Sequence, residues 1–276
     1  RQSLVGSEMC IRDSQNVDNP AGTTIDQGSG LMAVDLDNGS TFTITNAGTI
    51  SASGASDNME AINVDTANTT LSTLTNSGTI TAETTRSSDD NYGKGISIDI
   101  NASMGSLINS GTITGKGKQN NGYGIRMSST NGTLTSITNT STGIIEGISG
   151  EGINGGDTYA HSAYGSFINS SDSIAATLDN DGIIRGLSDL HTAQGLHLRS
   201  KFSTIDNSGT ILGQTDTYMA YGMETGKTGR PITTLNNSGT VSGVTGWNQA
   251  YGLYNSASIG TITVSYTHLT LPTNQC

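Results

Sequence analysis

The chain has 276 residues, 12 Lys and Arg against 23 Asp and Glu, a net charge of −11, and 5% aromatic residues. An acidic surface of this kind repels phosphates and makes a poor nucleic-acid ligand, and no apolar run is long enough to cross a membrane as a helix. Leu, Ile, Val and Phe total only 53 residues, but they recur at fixed intervals, which a disordered chain of similar composition would not show.

At the N-terminus, "SLVGSEMCIRDS" (3–14) shares no pattern with the interior of the chain, and the same holds for "VSYTHLTLPT" (264–273) at the other end. Both resemble translated sequencing-adaptor stretches. The native region is therefore taken as 15–264, with 1–14 and 265–276 as non-native flanks, and the chain is expected to be a piece of a longer protein. The flanks hold both cysteines, Cys10 and Cys276. Neither a disulfide framework nor a thiolate metal site is expected in the interior.

The interior is a repeat. Glycine phrases run "GLMAV" at Gly30, "AINV" at Ala61, "GISIDI" at Gly95, "YGIRM" at Gly124, "YGSFI" at Gly165, "QGLHL" at Gly195, "YGMET" at Gly222 and "YGLYN" at Gly252. Between them stand copies of "LTNSGTITA", whose asparagines are Asn46, Asn76, Asn109, Asn139, Asn180, Asn207 and Asn237. Their steps are 30, 33, 30, 41, 27 and 30 residues. In the glycine phrase, apolar and polar residues alternate, as in Ile96, Ile98 and Ile100, which marks one face of a strand turned inward. Before each Asn the apolar residues are three apart (Leu71 and Leu74, Met104 and Leu107, Ala175 and Leu178), so the backbone must bulge to keep both inside. Asn-x-Gly then reads as a turn in which glycine takes up a left-handed backbone, and stacked Asn amides there would form a hydrogen-bonded ladder. "NTSTG" after Asn139 has two extra residues and predicts a wider turn. Thr-Ile-x-Gly or Thr-Ile-x-Ala supplies a third strand.

Three short strands per 30 residues, bent at fixed points, predict an all-β fold: a single-stranded parallel β-helix of about 7 to 8 coils. One coil buries too little to stand alone, so each phrase recurs to fill the same place in successive layers. Ile80, Ile113 and Ile211 should all point into one common core.

Repeats such as "LTNSGTITA", "LINSGTITG" and "IDNSGTILG", separated by "YGI" or "YGL", resemble the passenger region of bacterial autotransporters, the type V secreted proteins. The resemblance implies a right-handed β-helix displayed on or released from a Gram-negative cell surface. Family members act as adhesins, aggregation factors or toxins. It also implies a C-terminal outer-membrane translocator barrel in the parent chain, and no segment here reads as one.

No nucleophile elbow, phosphate loop or zinc spacing is present, so no catalytic set, metal site or cofactor is expected. His161, His191 and His197 lack ligand spacing, and His197, between inward Leu196 and Leu198, should face solvent. Asp89 and Asp90 in "SDDNYG" are a weak cation candidate. A polysaccharide lyase or hydrolase would need clustered carboxylates, whereas Asp65, Glu83, Asp99, Glu146, Asp179 and Asp206 are scattered. The insertions fall between the Thr-Ile strand and the next glycine phrase, near 83–93 and 146–163, the place where solenoids put binding loops. Most of the aromatics lie there too. Tyr123, Tyr164, Tyr221 and Tyr251 directly precede the glycine and should stack as a structural row. Tyr92, Tyr159, Tyr218 and Trp247 are off that register and are the ligand-edge candidates. The expected partner is a host or bacterial surface glycan or protein, with self-association possible through uncapped coil ends. The alternative functions are a purely structural stalk or, less well supported, an enzyme.

Overall fold

A computed structural model describes residues 9–10, 16–26, 32–37, 39–55, 58–85, 92–99, 101–118, 120–150, 161–170, 176–226 and 230–265. The described residues contain strands and no helix. The chain winds through three parallel sheets in a fixed order, forming a β-solenoid of about seven turns of roughly 30 residues. Sheet A holds the glycine phrases, ending with Ala250–Asn255. Sheet B holds the strands ending in Asn, such as Thr70–Asn76 and Ser103–Asn109. Sheet C holds the Thr-Ile strands, such as Thr79–Thr84 and Thr112–Gly117. Sheets A and B have nine strands each and sheet C has eight. Residues 9–10 of the N-terminal flank also pair, Met9 with Val34 and Cys10 with Asp35.

Register explains the repeated wording. Ile80, Ile113 and Ile145 are direct cross-strand partners, as are Leu74, Leu107 and Ile137. Ile80, Ile113 and Ile211 are fully buried in one continuous core. Each apolar side chain therefore rests on its counterpart one layer away, about 4.8 Å along the stack. The three-residue steps hold too. Leu71 and Leu74 are both buried while Ser72 between them has no cross-strand partner, so each layer carries the expected bulge. The exceptions are the coil containing Ile44, where the inward Phe42 stands only two residues before it, and the coil containing Leu178. There Ala176 is the inward residue and pairs with Phe202, so the step is two; Ala175 and Ile100 lie outside the described residues.

Eight asparagines stack inside the turn between sheets B and C. Asn19 donates to Asn46 at 2.7 Å, Asn46 to Asn76 at 2.7 Å, Asn76 to Asn109 at 2.8 Å and Asn109 to Asn139 at 2.8 Å. The column continues through Asn180 and Asn207 to Asn237. After Asn139 the turn is wider: its Nδ2 reaches the Gly143 carbonyl, four residues on, where Asn109 reaches Gly111, two residues on.

The turn glycines need a correction. None of Gly78, Gly111, Gly209 and Gly239 has a positive φ; the described glycines that do are Gly22, Gly39 and Gly150. What requires glycine is the approach of the next layer. A Cβ on Gly111 would stand 2.0 Å from the Gly78 carbonyl oxygen, and one on Gly78 would stand 2.1 Å from that of Gly48. The turn backbones stack directly on one another and leave no room for a side chain.

Candidate functional site

Sheet A positions the most varied side chains. From Gly93–Asp99 onward the phrase glycine is skipped by the pairing: Lys94 pairs with Tyr123 and Ile96 with Ile125, leaving Gly95 and Gly124 unpaired; in the two strands before, Ala33 and Ala61 are the skipped residues, and Gly30 lies outside the described residues. A Cβ on Gly124 would meet the Glu146 backbone at 2.9 Å, so sheet A here touches sheet C. The bulge sends the residue before the glycine and the residue two after it to the same outer face. Two outward rows result. One runs Glu60, Lys94, Tyr123, Tyr164, Gln194, Tyr221, Tyr251, and the other Asn63, Ser97, Arg126, Phe167, His197, Glu224, Tyr254.

These rows pair off by chemistry. At the N-terminal end Lys94 Nζ lies 2.5 Å from Glu60 Oε1, with the two side chains 4% and 7% exposed, and 3.8 Å from Asp99. Arg126 donates to Asp99 at 2.5 Å, and Ser97 donates to the other oxygen of the same carboxylate at 3.0 Å. In the middle the Tyr123 and Tyr164 rings stack at 4.8 Å with planes 3° apart, and Phe167 meets both edge-on. Tyr221 and Tyr251 stack at 5.5 Å, with Tyr254 set against them. Gln194 interrupts the column between Tyr164 and Tyr221. Burial, and then the neighbouring ring and carboxylate charges, holds the Tyr123 and Tyr164 phenols above their ordinary range and pushes Tyr221 up to about 12.

His197 departs from the sequence reading. It lies on the outer face as alternation requires, but it is only 3% exposed. Phe167 stacks on it at 4.9 Å, and Nδ1 donates to Gln194 Oε1 at 2.5 Å. Gln194 Nε2 in turn donates to Glu224. The Nδ1 contact places the imidazole hydrogen on that nitrogen and leaves a buried Nε2 with no partner. Long neighbours in adjacent layers cover the outer face, and period-two alternation says nothing about such cover. His191 is half-buried, and the apolar surroundings lower its pKa.

The three described ligand-edge candidates, Tyr92, Tyr218 and Trp247, share one corner, where sheet C passes into sheet A, without forming one cluster. Tyr92 is half-buried and packs edge-on against Tyr123 at 5.9 Å. Tyr218 is 40% exposed and lies 5.8 Å from the His191 ring. Trp247, one layer further on, is 89% exposed. Tyr92 stands four layers below Tyr218, about 19 Å along the stack. Tyr159 lies outside the described residues, as do Asp89 and Asp90.

The carboxylates serve as partners for cations. Glu83 faces Lys116, and Arg185 holds Glu146 at 2.6 Å. Asp179 and Asp206 share an outward row of sheet B and border a shallow depression of about 210 Å³ with Asp181. Burial, and then repulsion from Asp181 and Asp206, raises the Asp179 pKa. Among the described residues no group of three or more His, Cys, Asp or Glu is placed to hold a metal. The pairs Glu60–Lys94 and Asp99–Arg126 went unread in the sequence. For Glu60 and Lys94 a signal was available, since they directly precede Ala61 and Gly95 in successive phrases; Asp99 and Arg126 stand at different offsets, four after Gly95 and two after Gly124, and gave none. Taken together, the coils define a β-solenoid with one decorated face. No protein-family model, curated protein or solved structure matches this chain.

Proposed function

We propose that the chain is a stretch of an autotransporter-type passenger, a rigid surface-displayed or secreted rod that works as a binding scaffold in cell adhesion or aggregation. Support comes from the stacked parallel coils together with the repeat phrases. The observation that carries the binding reading is the corner between sheets C and A. There Trp247 is 89% exposed in the last described layer, where Val244 and Tyr254 are also exposed, and Tyr218 is 40% exposed at the same corner one layer before; Trp247 and Tyr218 are both off the register of the stacked tyrosine row. An indole left in water, with Asn248 and Gln249 next in sequence, offers a flat apolar face and hydrogen-bonding neighbours to a glycan or protein surface. The solenoid core takes no part in that exposure, so recognition and stability separate at this position.

The test is binding of the folded chain to arrayed surface glycans and to bacterial and epithelial cells. Trp247→Ala should weaken saturable binding by about tenfold or more, in line with loss of an interface anchor, with an unchanged melting temperature. Full binding by a folded Trp247→Ala chain would remove the corner from the account.

A further inference from the structure

Four cations on the described surface are each matched by a carboxylate: Lys94 by Glu60, Lys116 by Glu83, Arg126 by Asp99 and Arg185 by Glu146. Lys118, Lys201, Arg199 and Arg230 have no ion pair of this kind among the described residues, and the two arginines are neighbours in the stack. They lie in adjacent layers of the corner where sheet A passes into sheet B, just after strand Ala193–Leu198 and just before strand Ile232–Asn237. Among the described residues neither has a carboxylate within ion-pair distance. Arg230 instead reaches down the stack. Its Nη1 donates to Asn169 Oδ1 at 2.9 Å and to the backbone carbonyl of Arg199. Burial, and then the charge of Arg199, lowers the Arg230 pKa. Like charges held side by side are unfavourable. This chain has nearly twice as many acids as bases and pairs its other described arginines, Arg126 and Arg185, with carboxylates, whereas Arg199 and Arg230 sit in adjacent layers without one, and Glu224 shares the neighbourhood of Gly226 with Arg199 outside ion-pair distance.

The described backbone of the corner is hydrogen-bonded from layer to layer. Arg199 N donates to the Ile168 carbonyl at 2.7 Å, Gly226 N to the Leu198 carbonyl at 2.9 Å, and Ser170 N to Ser200 Oγ at 2.6 Å. Arg199 is exposed and Arg230 half-buried, and the described bonds of the Arg230 guanidinium engage only its Nη1. Asn169 is half-buried.

We propose that Arg199, Arg230 and Asn169 form a subsite for one anionic group, a carboxylate or a sulfate, of an acidic glycan. The inference rests on reading the solenoid as a binding scaffold, and it adds a second contact region and a ligand class. Forked guanidinium donors match planar carboxylates and sulfates. Nucleic acid, with its dense charge, is disfavoured by the net charge of −11, whereas a glycan bearing sparse anions meets only this local patch.

The experiment is calorimetric titration of the folded chain, at low salt, with three probes: a short oligogalacturonate, the same oligosaccharide with its carboxyls reduced to alcohols, and a sulfated oligosaccharide. At least one charged probe should bind and the reduced one should not; the tighter of the two identifies the anion. Arg199→Gln, an exposed change that should leave the melting temperature unaltered, should weaken binding about tenfold or more, as expected for a lost charge-assisted contact. Arg230→Lys, which keeps the charge but not the fork, should give an intermediate loss. Equal binding of the reduced probe, full affinity in Arg199→Gln, or no binding of either charged probe overturns the subsite. Cell or glycan-array binding that is still lost in Trp247→Ala would then leave the scaffold reading in place.

Discussion

Replacing Asn109 with alanine tests whether the asparagine column is a stabilising ladder or a passive stack. Asn109 Oδ1 accepts from Asn76 at 2.8 Å. Its Nδ2 donates to Asn139 Oδ1 at 2.8 Å and to the Ile144 carbonyl at 3.2 Å. All three asparagines are fully buried. The alanine variant leaves Asn139 Oδ1 without a donor in a site closed to water, while Asn76 keeps only its longer contacts to the Gly78 and Thr112 carbonyls at 3.3 Å. An orphaned buried acceptor costs about 1–3 kcal/mol and each net bond lost about 1 kcal/mol, so the expected destabilisation is about 3–5 kcal/mol. Asn236→Ala is the control. Its amide donates to Asp206 on the outer face of the same sheet, where the loss should stay under about 1 kcal/mol. Stacked coils need not unfold in one step, so urea unfolding by circular dichroism should be paired with amide exchange. Protection should fall most in the layers of Asn76, Asn109 and Asn139. A cost for Asn109→Ala no larger than that of Asn236→Ala would show that the column carries no appreciable stability.

Gly111→Ala should cost about 3 kcal/mol or more, since its Cβ would fall 2.0 Å from the Gly78 carbonyl oxygen; Gly111→Asn should be no better, whereas a turn that needed only a left-handed residue would tolerate Asn. Ser166 sits between Ile125 and Leu196 in the inward row of sheet A with an unpartnered hydroxyl, so Ser166→Ala should raise stability by about 1 kcal/mol in urea unfolding. The phenols of Tyr123, Tyr164 and Tyr221 have pKa values raised from 10.0, Tyr221 to about 12. Their contribution is therefore intact below pH 10, where neither folded nor unfolded chain ionises, and is lost as pH climbs through the folded values. Urea midpoints should decline from pH 10 upward, less steeply in Tyr123→Phe, and an equal decline in both chains would assign the loss to other groups.

Much of the solenoid was legible because its interior obeys simple periodicities. The alternation around Ile96 and Ile98 and the three-residue step from Leu71 to Leu74 each state which side chains must be inside, and a repeat of about 30 residues states what they rest on. Two things were not legible. Glycine in Asn-x-Gly suggested backbone handedness, because a single turn read alone offers no other reason for it. The actual reason, contact with the same turn one layer away, belongs to the stack. Likewise, alternation placed His197 on the outside correctly and its solvation wrongly. Whether an outward side chain is wet depends on the size of its neighbours above and below, here Phe167 and Glu224, which sit some 30 residues away in sequence. Of the edge candidates, the placement of Tyr218 and Trp247 at the sheet C to sheet A corner follows from their offset from the glycine phrase. The packing of Tyr92 against Tyr123 does not, because the loop before it differs in length from the others.

The inner and outer rows obey different rules, and that difference bears on function. An inward row or an amide ladder must match its neighbours one by one, since each Asn both donates to and accepts from the next, and one foreign residue interrupts two contacts. An outward row of sheet A needs only pairwise agreement. Glu60 suits Lys94, Tyr123 suits Tyr164, Phe167 suits His197, and each pair can be exchanged without disturbing the layers beyond it. Sheet A therefore changes its chemistry from ion pair to aromatic column to histidine network within a few layers, while Ile80, Ile113 and Ile145 stay alike beneath. A solenoid built this way can vary its outer chemistry from layer to layer at little cost to its stability, and features such as Trp247 and the Arg199–Arg230 corner stand out against that background of matched neighbours.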